Sequence, residues 1–205
     1  MKVIRGTIVS VGEGGVYGER MLSGCRVWDP HRSKLPAAIL NGAPLDLTPD
    51  MRVLYLGAAN GTTVSHVADY VETVYAVEFA PRPMQDLIEV ARRRLNIVPI
   101  MADVNRPEVY GCFVESVDMI YQDVAQPNQA DILRKNLPFL KDGGIAVLML
   151  KARSVDVRKS TEEITEETRI ALGEMGLSIV WSGSLNPYHR DHTAMICVKG
   201  ESGSE

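Results

Sequence analysis

Residues 52–63 read RVLYLGAANGTT. A run of large apolar side chains, Val53 to Leu56, gives way to small residues and glycine and then to the polar pair Thr62–Thr63. Such a run, without polar alternation, suits a strand buried on both faces, as in a parallel sheet. Gly57, Ala58 and Gly61 let a ligand lie against the backbone, and a helix is predicted directly beyond them. The spacing is not GxGxxG, because Gly57 and Gly61 are four apart with alanines between them. The loop therefore favours a nucleoside cofactor without a pyrophosphate, such as S-adenosyl-L-methionine, over a dinucleotide.

The same pattern extends outward. Strands are predicted over Arg52–Ala58, Thr73–Phe79, Ile97–Asp103, Val117–Asp123 and Gly144–Lys151. Helices are predicted between them over Thr62–Tyr70, Pro81–Leu95 and Gln126–Leu140. Pro81 and Pro127 sit where a first helical turn tolerates proline, and Gly143–Gly144 reads as a helix end. A further helix is expected over Thr161–Met175. The last two runs, Leu177–Ser184 and His192–Lys199, have no helix between them and pair as an antiparallel hairpin at the sheet edge. The fold class is α/β, a doubly wound Rossmann-like sheet with that hairpin added.

The first 50 residues differ. Val3, Ile4, Thr7, Ile8 and Val9, then Gly12–Gly15, then Val16 and Tyr17 suggest short strands joined by glycine turns. A β-hairpin is expected to about Leu22, then a bridge over Arg26–Leu40 with a first helix near Lys34–Leu40. The domain reading is a small β-rich subdomain and linker helix over 1–50, a cofactor-binding domain over 51–200, and a disordered tail over 201–205.

Composition narrows the class. Of 205 residues, 45% are hydrophobic and 23% charged, which excludes a disordered or collagen-like chain. Apolar runs such as Ile145–Leu150 fall far short of the ~20 residues that cross a bilayer. The start, MKVIRGTIVS, has no signal-peptide pattern, so a cytoplasmic location and no membrane partner are expected. Cys25, Cys112 and Cys197 lie more than eighty residues apart and read as reduced, buried thiols with neither disulfide nor metal. The net charge of −4 is no nucleic-acid footprint, so any RNA must meet a local basic patch or partner proteins.

Ligands in doubly wound sheets bind beyond the carboxyl ends of the strands. Those ends read Gly57–Thr63, Glu78–Phe79, Asp103–Val104, Asp123-Val124-Ala125-Gln126 and Lys151. A polar or glycine-rich terminus in register at each of them points to a site. Glu78 stands where an acidic side chain hydrogen-bonds both ribose hydroxyls of a nucleoside. Phe79 would pack on the adenine, and Asp103 would take its exocyclic amine, although either acid alone could be a turn cap. The candidate cofactor residues are Gly57, Ala58, Thr62, Thr63, Glu78, Phe79, Asp103, Val104, Asp123, Val124, Ala125 and Gln126. Asp123 and Lys151 end adjacent central strands and could meet above the sheet, a pairing that tunes a lysine. His192 opens the last strand. His31, His66 and His189 have no comparable setting, and His66 reads as a helix-face residue.

Six segments together resemble the fibrillarin family. They are RVWDPHRSKL (Arg26–Leu35), YLGAANGTTVSHVAD (Tyr55–Asp69), VYAVEFAPR (Val74–Arg82), DVAQPNQA (Asp123–Ala130), LKARSVDV (Leu150–Val157) and PYHRDHTAM (Pro187–Met195). The likeness covers nearly the whole chain, and without a glycine/arginine-rich extension it is to the archaeal form. Asp29 stands where asparagine is expected, Asn60 for serine, and Pro36 for alanine, the last bearing on the start of the first helix. The resemblance implies the S-adenosylmethionine-dependent methyltransferase variant of the fold. The activity implied is methylation of ribose 2′-hydroxyls of rRNA, and of tRNA in archaea. Its sites would be chosen by box C/D guide RNA in a particle with a Nop-family scaffold protein and a kink-turn-binding ribosomal-type protein.

The resemblance also implies a catalytic set of Lys34, Asp123, Lys151 and His192, in which Lys34 comes from the resemblance alone. Lys151 would steer or accept the hydroxyl proton and stabilise the developing oxyanion. Lys34 would lower its pKa and Asp123 would raise it, which leaves a neutral base and a charged clamp both open. Asp123 would orient Lys151, and His192 would position the ribose or its phosphate. Arg26, Arg32, Lys34, Lys151, Arg153, Arg158, Lys159 and Arg190 are the candidate cations for RNA, whereas Arg92–Arg94 reads as a solvated helix end. Two other readings share the sequence. One is a stand-alone methyltransferase acting on protein or a small molecule; the other is a non-catalytic subunit of an RNA particle.

Overall fold

Seven strands form the main sheet of the computed structural model, which describes residues 1–12 and 14–201. Residue 13 of the glycine-rich turn and residues 202–205 of the expected tail lie outside the described residues. A smaller antiparallel sheet comes first in the chain. It comprises β1 (Lys2–Ile4), β2 (Thr7–Ser10), β3 (Met21–Leu22) and β4 (Cys25–Val27), in spatial order β1-β2-β4-β3. After α1 (Lys34–Leu40) the chain alternates through β5 (Arg52–Leu56), α2 (Thr62–Ala68), β6 (Thr73–Glu78), α3 (Pro81–Ala91) and β7 (Ile97–Met101). Then come α4 (Pro107–Tyr110), β8 (Val117–Gln122), α5 (Gln129–Asn136), β9 (Leu140–Lys151), α6 (Ala152–Val155) and α7 (Thr161–Glu174). The chain ends with β10 (Leu177–Ser184) and β11 (His192–Lys199).

The main sheet runs β10-β11-β9-β8-β5-β6-β7. Strands β5 to β9 are mutually parallel, and β11 lies antiparallel between β9 and β10, as the absence of an intervening helix predicts. Strand order reverses at β5, with β6 on one side and β8 on the other, which opens a crevice at their carboxyl ends. Val53–Leu56 are all buried, as an apolar run covered on both faces must be. Ile8 and Trp28 near the small sheet share one core with Tyr55, Val64 and Val67, so the two sheets bury a common apolar layer.

Several local expectations are corrected. Val16 and Tyr17 form no strand; β1 and β2 make the first hairpin, Met21–Leu22 pairs with β4, and Arg26–Val27 belong to β4, which joins β2, rather than to a bridge. Pro127 precedes the N-cap Asn128 of α5, and that helix gives way at Leu137 to a 3-10 turn over Leu137–Phe139, because Pro138 has no N–H to continue the α-helical ladder. Gly143–Gly144 does not end a helix. It lies inside β9, where the register with β8 jumps from Val117↔Leu140 to Met119↔Ile145 and loops the intervening residues out. Gly143 supplies φ +73° there, and a Cβ on Gly144 would sit 2.7 Å from Leu140 Cδ1. Pro36 does not disturb α1, because it lies in the first turn, where the backbone N–H has no intrahelical partner. Cys112 is exposed, whereas Cys25 and Cys197 are buried, and all three are free thiols.

A buried charge cluster locks the small sheet to α2 and α3. Asp69 accepts from Arg26 Nη1 at 2.7 Å, Arg94 Nε at 2.7 Å and Ser10 Oγ at 2.6 Å. Arg26 Nη2 also donates to Glu19 Oε1 at 2.6 Å and to Ser65 Oγ at 2.8 Å. Ser10 spends its proton on Asp69, so His66 Nδ1–H donates to Ser10 Oγ at 2.7 Å. The His66 ring is buried and stacks on Trp28, with centroids 5.0 Å apart. Three assignments change as a result. His66 faces the interior, Arg26 is sequestered from RNA, and Arg94 is a structural cation rather than part of a solvated helix end.

Burial first, and the Arg26 charge second, push the His66 pKa down to about 3. The unfolded chain binds that proton near pH ~6.5, so the linked stability is complete above that value and falls progressively toward pH 3. Burial would raise Glu19, but hydrogen bonds from Arg26 and backbone amides bring its carboxyl to about 2, which extends the loss further into acid. Denaturant midpoints measured from pH 8 to pH 4 should fall steadily below about pH 6.5. In His66→Gln the part of that decline above pH ~5 should vanish.

Candidate active site

The carboxyl ends of the parallel strands open into two adjoining cavities that share Gly57, Ala59 and Asp123 as walls. One, of about 230 Å³, brings together Glu78, Phe79, Val104, Val124, Ala125 and Gln126. The other, of about 360 Å³, adds Arg32, Tyr55, Ala58, Thr62 and Thr63. Asp103 lines neither; its neighbours Ala102 and Val104 line the first. The turn-cap alternative describes its contacts, because Asp103 Oδ1 accepts from Asn105 N and Nδ2 at 2.9 and 3.1 Å. Gly57 must be glycine. Its φ is +83°, and a Cβ would stand 2.4 Å from the Asp123 carbonyl oxygen.

Glu78 braces this loop from the end of β6. Its Oε2 accepts from Ala59 N and its Oε1 from Ala80 N, both at 2.8 Å. Ala59 needs the brace, since it holds φ +47°, a left-handed conformation that costs an alanine ~1–2 kcal/mol. Each carboxylate oxygen retains a further acceptor site for a ligand hydroxyl. The ionisable side chains on the first cavity are Glu78 and Asp123, and Phe79 is 64% exposed at its edge. An uncharged or cationic nucleoside fits that lining. A diphosphate would meet carboxylates instead of cations.

Lys34, the first residue of α1, donates from Nζ to both Asp123 oxygens, at 2.8 and 2.7 Å. Ser33 and Thr63 hydroxyls meet at 2.9 Å and dock the start of α1 on α2, which aims Lys34 at the end of β8. The expected Asp123–Lys151 pairing is therefore replaced by Asp123–Lys34. The Lys151 ammonium forms no ion pair or hydrogen bond among the described residues. Lys151 stands directly across from His192 in the β9–β11 register, so both side chains emerge on one face.

His192 is set as an acceptor. A carbonyl only accepts, so its Nδ1–H donates to Arg190 O at 2.7 Å and Nε2 keeps its lone pair. Burial lowers its pKa, and Lys34 and His189 push the same way, which favours the neutral ring. Asp191, at φ +57°, turns the chain into β11 and is held by Arg153 Nε at 2.8 Å.

Residue-by-residue reading missed Gln129. Its side-chain amide accepts from Lys151 N and donates to Lys151 O, both at 3.1 Å, as a neighbouring strand would. Gln129 is buried, and its own carbonyl accepts from Gln122 Nε2 at 2.7 Å. A glutamine six residues beyond Asp123, in a segment already singled out, was the available signal.

The expected RNA cations separate into two groups. Arg26 is buried and Lys34 is held by Asp123, while Arg153, Arg158 and Lys159 pair on the surface with Asp191, Asp156 and Glu167. Surface pairs of this kind contribute only ~0–1 kcal/mol and can exchange for phosphate. Arg32, Lys151 and Arg190 have no side-chain partner among the described residues.

A family model described as Fibrillarin matches residues 5–201. The fibrillarin-like rRNA/tRNA 2′-O-methyltransferase of Methanoculleus marisnigri is 65% identical over 98% of this chain and 100% of its own length. Among solved structures, a fibrillarin/Nop5p complex superposes with a TM-score of 0.89 at 45% identity, covering 97% of this chain and 96% of that one. Aeropyrum pernix fibrillarin with natively bound S-adenosyl-L-methionine gives a TM-score of 0.82 at 44% identity, covering 92% and 86%.

Removing the Glu78 brace tests the geometry of the loop. Glu78→Ala deletes two charge-assisted hydrogen bonds and should destabilise the fold by about 2–3 kcal/mol in denaturant titrations. Amide exchange should accelerate at Ala59 and Ala80 before it does so in β5.

Proposed function

This chain belongs to the fibrillarin family, and we propose that its cleft methylates RNA through Lys34, Asp123, Lys151 and His192. The chain is an S-adenosyl-L-methionine-dependent methyltransferase of ribose 2′-hydroxyls in rRNA and tRNA, and it works with a Nop-family partner. The observation that carries the catalytic reading is the Lys34–Asp123 pair beside a cavity with acidic lining, with Lys151, unpaired among the described residues, across from His192.

Bound S-adenosylmethionine supplies an activated methyl group, so the protein's task is alignment and proton handling. Glu78 would accept from the nucleoside's ribose while holding Ala59, and Phe79 would cover the adenine. Gly57, Ala58, Thr62, Thr63, Val104, Val124, Ala125 and Gln126 form the remaining walls, and Asp103, just outside them, would offer the adenine amine its Oδ2, which takes no partner among the described residues. Lys34 and Asp123 neutralise each other, and the fixed carboxylate borders both cavities of the cleft. Lys151 steers the target hydroxyl and stabilises charge as it develops on the oxygen. The neutral His192 Nε2 accepts the hydroxyl proton. Gln129 fixes the backbone from which Lys151 projects.

In this reading residues 51–200 carry the chemistry, and residues 1–50 deliver Lys34. Few uncommitted cations remain, so box C/D guide RNA selects the nucleotide. The scaffold and a kink-turn-binding protein supply most of the RNA affinity, in the cytoplasm. Methyl transfer from labelled S-adenosylmethionine should yield one 2′-O-methyl group at the guide-specified position, and only in the full assembly. Transfer by the bare chain to protein or small molecules would favour the stand-alone enzyme. Assembly and cofactor binding without transfer would favour the structural subunit.

Lys151→Ala should reduce turnover about 10²–10⁴-fold in that assembly while leaving cofactor affinity intact. The pH profile tests His192 separately. Its folded pKa lies below the usual ~6.5, so the acceptor form persists through neutrality and kcat should fall only at pH values below ~6.5. His192→Gln should abolish that acid limb.

A further inference from the structure

A third cavity, of about 390 Å³, lies between the small sheet and the start of α2. It shares Arg32 and Thr62 with the cofactor cleft, so the two spaces adjoin. Arg20 and Arg32 both line it, and neither guanidinium has an ion-pair partner among the described residues. Glu19 on the same wall is already committed to Arg26 and to the Val16 and Tyr17 amides. Trp28, also on the wall, keeps its indole Nε1–H buried without a partner among the described residues, an unusual state for a donor that an incoming acceptor could relieve.

Asp29 limits what can bind. Its Oδ1 accepts from His31 N at 2.9 Å, and its Oδ2 is unengaged among the described residues. A simple anion would be attracted by two guanidinium groups and repelled by this carboxylate. The better match carries an anionic group and hydrogen-bond donors together, which describes one nucleotide of an RNA strand. Its phosphate would meet the arginines, and a 2′-hydroxyl or base amine would face Asp29.

Building on the RNA methyltransferase reading, we infer that this cavity seats the nucleotide flanking the target ribose, with its phosphate held by Arg20 and Arg32. The contact is to backbone and sugar, so it sets the register of the strand over Lys151 without reading sequence. It also accounts for two arginines left unpaired where so many other cations of the chain are engaged.

The test uses the fully reconstituted particle and a target RNA, varying salt and the charge of single phosphates. Arg20→Gln should raise KM for target RNA about fivefold to tenfold and leave kcat unchanged. It should also lower the slope of log KM against log salt by about 0.7–0.9, the share of one phosphate contact. A neutral methylphosphonate at one position beside the target should reproduce the KM increase in the wild type and add nothing in Arg20→Gln. Arg32→Gln should also raise KM for RNA and lower the salt slope, with cofactor affinity and kcat measured alongside because Arg32 also lines that cleft. Wild-type KM and salt slope in Arg20→Gln would overturn the inference. So would loss of scaffold binding with unchanged RNA kinetics, which would make the face a protein interface. A wild-type particle that transfers no methyl group to RNA would instead defeat the functional reading itself.

Discussion

Asp69 holds three parts of the chain to one point. From the end of α2 it receives Ser10 and Arg26 from the small sheet and Arg94 from the far side of α3. The approach is so close that a Cβ on Gly12 would stand 2.1 Å from its carboxylate. Buried charges are expensive to desolvate, and this cluster is tolerable because each acidic or guanidinium group in it has charged or hydrogen-bonded partners. Placing so much charge inside costs stability that apolar packing could have supplied. In return the geometry is specified sharply, since alternative packings would strand a charge.

That specification reaches the candidate active site through α1. The small sheet feeds Trp28 into the shared core, Ser33 meets Thr63, and Lys34 then has one direction available, toward Asp123. The N-terminal sheet is therefore part of the site's construction although it adds no wall to the nucleoside slot beside Glu78. The opposite flank is set differently. Gln129 serves as a one-residue strand against Lys151, and β11 presents His192 from the other side. Four polar side chains from α1, β9, β11 and the loop after β8 converge because the sheet, the helix start and one buried amide each fix a backbone.

Much of this was legible in the sequence. Apolar runs ending in small or charged residues located the parallel strands and the carboxyl ends that line the candidate site, because burial on both faces and a polar carboxyl end are both local signals. Helix α1 matched its expected span, Lys34–Leu40, and the edge hairpin followed from a missing helix. Partner choice among charges was not legible. Arg26 and Arg32 look equally available in sequence, yet one is fully buried and the other exposed. Asp123 could face either lysine, and only the docking of α1 decides between them. Gly143–Gly144 misled for a related reason, since a glycine pair ends helices and interrupts strands equally well. Gln129 was hidden because a glutamine that mimics a strand shares no periodicity with the sheet it completes.

The tying down of cations has a consequence for how often one protein can work. The ionic part of nucleic-acid affinity scales with the number of phosphates neutralised, each adding roughly one unit of salt slope. A chain that locks Arg26 and Arg94 inside and sets Lys34 on Asp123 withdraws three cations from that grip and leaves it to a few side chains such as Arg20, Arg32, Lys151 and Arg190. Each of those few contacts weakens as salt rises, so release of RNA from this chain should quicken with ionic strength by a modest factor rather than by the orders of magnitude expected of a strongly basic enzyme.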